Sequence, residues 1–88
     1  MRTAAKRDAI EPDVVDALEK IGATVYRIDE PCDLIVGYRV RNFLIELKSK
    51  KGTQTPNQEK FSVGWKGQYR ICRSVDEALD LVTQAYES

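Results

Sequence analysis

The chain has 88 residues, which bounds it to one domain with a modest core. A hydrophobic share of 42% beside 32% charged residues excludes a disordered chain, and no apolar run is long enough to span a bilayer. Net charge is zero and histidine is absent, which removes Ser-His-Asp and Cys-His catalysis and the zinc sites that need imidazole. Any metal must then be held mainly by oxygen, which points to Mg²⁺ or Mn²⁺. The opening stretch MRTAAKRDAIEPD lacks the apolar core of a signal peptide, so the expected location is intracellular, in the cytoplasm, with no membrane partner.

In chain order, EPDVVDALEKIGA signals a first helix. Pro12 suits the first helical position, Val14, Val15 and Leu18 recur at helical spacing, and Gly22 is a natural C-terminal cap. Three strands follow, at 23–29, 33–38 and 42–48, rich in β-branched and aromatic residues and separated by short polar breaks. Thr55, Pro56 and Gln58 then make the capping box that opens a second helix. GQYRIC (67–72) reads as a fourth strand. The run SVDEALDLVTQAYE reads as a third helix, with a capping box from Ser74 to Glu77 and an apolar stripe of Val75, Leu79 and Val82. The order αβββαβα predicts an α/β fold of the mixed α+β kind. The first three strands form an antiparallel meander, and the fourth joins the third in parallel through a helical crossover.

Zero net charge hides an uneven distribution. Residues 8–33 carry eight acids against Lys20 and Arg27, whereas residues 39–51 carry Arg39, Arg41, Lys48, Lys50 and Lys51 against Glu46 alone. A neutral chain can therefore fold with one basic face. Cys32 and Cys72, forty residues apart in apolar contexts, read as buried reduced thiols rather than a disulfide.

The third strand sets Phe43, Ile45 and Leu47 on one face and Leu44, Glu46 and Lys48 on the other. A connection of two or four residues centred between 39 and 40 makes paired positions sum to 79 and puts Asp33 opposite Glu46, with Cβ atoms about 5 Å apart. An odd-length loop puts Asp33 diagonal to Leu47 instead, and Arg-Val is a poor pair for a two-residue turn. Two carboxylates side by side repel unless something cationic lies between them, and a divalent metal with Lys48 beside it would serve.

The stretch PCDLIVGYRVRNFLIELKSKKGTQTPNQEKF, with W-K-G downstream, resembles the PD-(D/E)XK nuclease superfamily, in particular the virus-type replication-repair nuclease (VRR-NUC) domain. The matching residues are Pro31 and Asp33, then Glu46 and Lys48, and the likeness covers nearly the whole chain, 1–88. It implies a restriction-endonuclease-like core and a Mg²⁺- or Mn²⁺-dependent hydrolase that cuts phosphodiester bonds in branched DNA, such as Holliday junctions or flaps. Such domains are often small stand-alone phage proteins, they serve DNA repair, and they pair as homodimers without a small-molecule cofactor. Carried over, Asp33, Glu46 and the Leu47 carbonyl would hold metal, and Lys48 would orient the attacking water. A first-helix acid completes the site; spacing to Leu18 favours Asp13, with Glu11 second. Gln58 matches a glutamine of the helix after Glu-x-Lys. Cys32 interrupts Pro-Asp, and the helix acid is Asp where the family usually has Glu.

Each residue also has a plainer account. Asp33, Glu46 and Lys48 would make a cross-strand ion pair, the helix acids complement the helix dipole, and Gln58 is satisfied by capping. Arg39, Arg41, Lys50 and Lys51 are either a solvated rim or phosphate contacts. Trp65 and Tyr69 read as core or interface residues. The rival function is a catalytically inactive module of the same fold that binds nucleic acid.

Overall fold

The computed structural model describes residues 9–49 and 52–87. Its elements are α1 (Glu11–Lys20), β1 (Thr24–Arg27), β2 (Leu34–Tyr38), β3 (Arg41–Leu47), α2 (Pro56–Gly64), β4 (Tyr69–Cys72) and α3 (Val75–Glu87). One mixed sheet runs in the order β1-β2-β3-β4. The first three strands are antiparallel, and β4 lies parallel to β3. Only that last pair is joined through a helix, as a parallel connection requires. The chain is thus a small mixed α/β domain with three helices. No helix among the described residues is long and apolar enough to cross a membrane.

Helix α1 is set by its packing face. Glu11, Val14, Val15 and Leu18 fall at i, i+3, i+4 and i+7, and all four are buried. Ile10 at its N-cap supplies no side-chain cap. Its C-terminus closes in a Schellman motif: the Gly22 N–H donates to the Glu19 carbonyl and the Ala23 N–H to the Leu18 carbonyl, each at 3.0 Å. Gly22 has φ 99°, a left-handed conformation that a Cβ would penalise.

One sheet face carries the core. Leu34, Val36, Phe43, Ile45 and Leu47 meet Val14, Val15 and Leu18 of α1 and Ala78 and Val82 of α3. Each large side chain here contributes about 1.5–3 kcal/mol by leaving water. The expected stripe on α3 is rotated: Ala78 and Val82 are fully buried, while Val75 and Leu79 pack at the margin. The capping box there is also altered. The Glu77 N–H donates to Ser74 Oγ at 3.1 Å, but the Glu77 carboxylate accepts from Arg73 N–H, one residue before the cap, at 2.6 Å.

The β2–β3 hairpin has the even register. Leu34 pairs with Ile45, Val36 with Phe43 and Tyr38 with Arg41, so every pair sums to 79. Arg39 and Val40 alone make the turn, with φ 52° and 67°, although local chemistry disfavours both there. Burial explains the outcome. A one-residue slip would turn Leu34 and Val36 away from the core, a far larger loss than two strained turn residues.

Candidate active site

The even turn also places the two strand acids. Asp33 immediately precedes β2 and Glu46 is the penultimate residue of β3, one step beyond the Leu34–Ile45 pair. Both are buried, at 8% and 4% exposure. Asp33 is pinned to β3 twice: its N–H donates to the Ile45 carbonyl at 3.1 Å, and its Oδ2 accepts the Leu47 N–H at 2.8 Å. An extended residue aims its N–H and C=O toward the same neighbouring strand, so the Leu47 carbonyl faces the Asp33 side too.

Glu46 is the more strained charge. Its Oε2 lies 3.5 Å from Lys48 Nζ and accepts the Gln58 Nε2–H at 3.0 Å. Burial first, and the Asp33 carboxylate second, push its carboxyl up to about 7 against the opposing pull of Lys48. Lys48 itself is largely enclosed, its side chain 18% exposed. Glu46 therefore faces one carboxylate and one ammonium in a largely buried place.

Gln58 reconciles its two sequence readings. Its Oε1 accepts the Thr55 N–H at 2.9 Å and its own N–H donates to Thr55 Oγ1 at 3.2 Å, which completes the capping box. A backbone N–H can only donate, so Oε1 must face Thr55 and the amide nitrogen must face Glu46. The cap thus aims a donor at the acid. Gln54 braces the same region through Nε2, which donates to the Tyr69 hydroxyl at 3.3 Å and the Gln58 carbonyl at 3.4 Å.

Among the described residues neither first-helix acid joins Asp33 and Glu46, and the two differ in burial. Asp13 is exposed, whereas Glu11 is 2% exposed and its Oε2 accepts Arg27 Nε–H at 2.7 Å. Helix phase is the reason: Glu11 shares the stripe of Val14 and Leu18, and Asp13 points off it. Arg39 and Arg41 are exposed at the hairpin turn, while Lys50 and Lys51 lie outside the described residues. Tyr69 is partly buried, its ring edge-on to Phe61 at 5.1 Å. Trp65 stacks on Phe61 at 5.2 Å and stays 44% exposed, so it is not a core residue. Cys32 and Cys72 are free and buried, and burial raises their thiols to about 11 and about 12. Neither is a nucleophile near neutral pH.

A hard divalent cation fits these donors. Asp33 and Glu46 offer adjacent carboxylates, whose repulsion a cation would relieve. Among the described residues no group of three or more His, Cys, Asp and Glu side chains converges, so the protein alone makes no closed cage. Mg²⁺ tolerates that, since it keeps several waters when one or two carboxylates bind it.

Three supporting residues escape sequence reasoning. Arg27 neutralises Glu11, Gln54 braces Gln58, and Arg73 Nη1 donates to the Ser49 and Gly52 carbonyls at 2.6 and 2.7 Å. That last pair ties the segment after Lys48 to the end of β4. Apart from Gln54–Gln58 these contacts span sixteen residues or more, and the one sequence hint is Arg27 as one of two bases among eight acids. No protein family, no curated protein and no solved structure matches the chain.

Proposed function

We propose that this protein is a metal-dependent, structure-selective DNA endonuclease with a restriction-endonuclease-like core, which hydrolyses phosphodiester bonds in branched DNA such as four-way junctions or flaps. The observation that carries the reading is the trio of Asp33, Glu46 and Lys48 on neighbouring strands, where burial first and the Asp33 carboxylate second raise Glu46 to about 7. Asp33, Glu46 and the Leu47 carbonyl would hold Mg²⁺ or Mn²⁺. When bound, the ion supplies acidification of water and neutralisation of phosphate charge.

The chain's own groups do the rest. Lys48, fixed by its neighbours rather than free in solvent, presents an ammonium to the charge that builds on the phosphoryl oxygens. Gln58 holds the Glu46 carboxylate in place by donating to Oε2. Arg39, Arg41, Lys50 and Lys51 position the DNA backbone, a role that carries no sequence preference. Neither first-helix acid joins the pair among the described residues, Asp13 being exposed and Glu11 bonded to Arg27. Two copies acting as a homodimer would offer two such sites to the two-fold arms of a junction.

The rival reading, a catalytically inactive binding module, draws on one observation: no third acid joins the pair among the described residues. Incubating purified protein with Mn²⁺ or Mg²⁺ on a panel of junction, flap and linear DNA separates the two. Cutting of branched DNA that falls at least about a hundredfold in Lys48→Ala is the expected result. Intact DNA throughout, or a Lys48→Ala variant as active as the parent, removes the nuclease reading. Salt-dependent DNA affinity without cutting would then favour the module.

A further inference from the structure

The β2–β3 turn is made of residues that suit it badly. Both Arg39 (φ 52°) and Val40 (φ 67°) hold left-handed conformations, which an Asn-Gly pair adopts freely and a β-branched residue resists. Strain of this kind is normally held in place by packing, yet Val40 is fully exposed, at 104% of its reference area. Neither the turn nor the core gains from an isopropyl group there. The residues on either side, Arg39 and Arg41, are exposed as well, and the Arg39 guanidinium lies 5.3 Å above the Tyr38 ring. An apolar knob thus stands at the tip of the β2–β3 hairpin, the central ribbon of the sheet, with a cation on each flank.

We propose that the Arg39–Val40–Arg41 tip is a wedge that enters the branch point of junction DNA. Val40 packs against the terminal base pair opened at the branch, and the two guanidiniums take the phosphates beside it. The chemistry matches: small apolar wedges unstack base steps, and that costs least where stacking is already broken. Flanking arginines supply the charge-assisted contacts to phosphate.

This assignment rests on the nuclease reading and sharpens it with a distance. Val40 and Glu46 are six residues apart along the hairpin, about 20 Å at roughly 3.4 Å per residue. A duplex laid along the ribbon advances about 3.4 Å per base pair, so the cut falls about six nucleotides from the branch.

Val40→Gly relaxes the turn and removes the knob, while Val40→Ile keeps it. Affinities for a four-way junction and for linear duplex of the same sequence are measured in EDTA, so that nothing is cut. The junction carries 2-aminopurine at the branch, whose fluorescence rises on unstacking. The parent brightens the probe and prefers the junction. Val40→Gly melts no lower than the parent, leaves the probe dim and loses about tenfold in the junction-to-linear ratio. Val40→Ile restores both. A Val40→Gly ratio within twofold of the parent's, or equal brightening, overturns the wedge while the nuclease reading stands. A parent that neither binds nor cuts DNA overturns both.

Discussion

Glu11 and Glu46 are both almost wholly buried, and the fold answers their charges in different ways. Glu11 meets the Arg27 guanidinium at 2.7 Å. Glu46 meets a second carboxylate, Asp33, and has the Lys48 ammonium at 3.5 Å. The first arrangement pairs opposite charges and ties α1 to β1. The second sets two buried carboxylates beside each other, with Lys48 next to Glu46. Removing one partner from a buried pair is costly because the other charge stays behind in low dielectric. By that logic the Asp33–Glu46 pair weakens the free protein, and relief on binding a cation is its counterpart.

The largest effect that tests this contrast is the pH dependence of stability. The Glu46 carboxyl sits at about 7 in the folded state against an ordinary 4.5. Between those values the folded protein keeps a proton that the unfolded chain has lost, so the unfolded state binds fewer protons and stability falls as pH rises. The contribution is fully present below about pH 4.5 and lost by the time pH passes about 7, a change of at most about 3 kcal/mol. Chemical denaturation at a series of pH values should show this decline in the parent and its loss in Glu46→Gln. An equal decline in both proteins would assign it to other groups.

Arg27→Met addresses the closed site and should cost about 2 kcal/mol, below the usual figure for a broken buried pair because the Arg27 side chain is 51% exposed. That lowers the melting temperature by roughly 10 °C for a domain of this size. Adding Glu11→Gln should recover part of the loss, since the stranded charge is then gone. An unchanged melting temperature in Arg27→Met would show that the pair is worth nothing.

The sequence makes some of this plain and conceals the rest for physical reasons. Alternation in LIVGY and NFLIEL declares which side chains seek the core, and that demand sets the register at 79 even though Arg39 and Val40 are poor turn residues. Local preference yields when it opposes the burial of four large side chains. Glu11 is also legible, seven residues or about two turns before Leu18, whereas Asp13 at five residues is about 140° away around the helix. Counting toward Leu18 without helix phase passes over the acid that is buried. The bond of Arg27 to Glu11, sixteen residues away, is a product of tertiary packing and leaves no local pattern. Gln58 is half legible: the capping box is a four-residue signal, but its second bond, to Glu46, exists only because the crossover folds α2 back against β3.

A metal titration of thermal stability at pH 8 tests most directly whether the Asp33–Glu46 pair is an open cation site. Mn²⁺ at about a hundredfold excess over its Kd should add about 2.7 kcal/mol to the parent, a rise on the order of 10 °C. Glu46→Gln, freed of the repulsion, should melt higher than the parent without metal and stay unmoved when Mn²⁺ is added. A parent that ignores the ion, or a Glu46→Gln variant that rises with it by the same amount, would contradict the site.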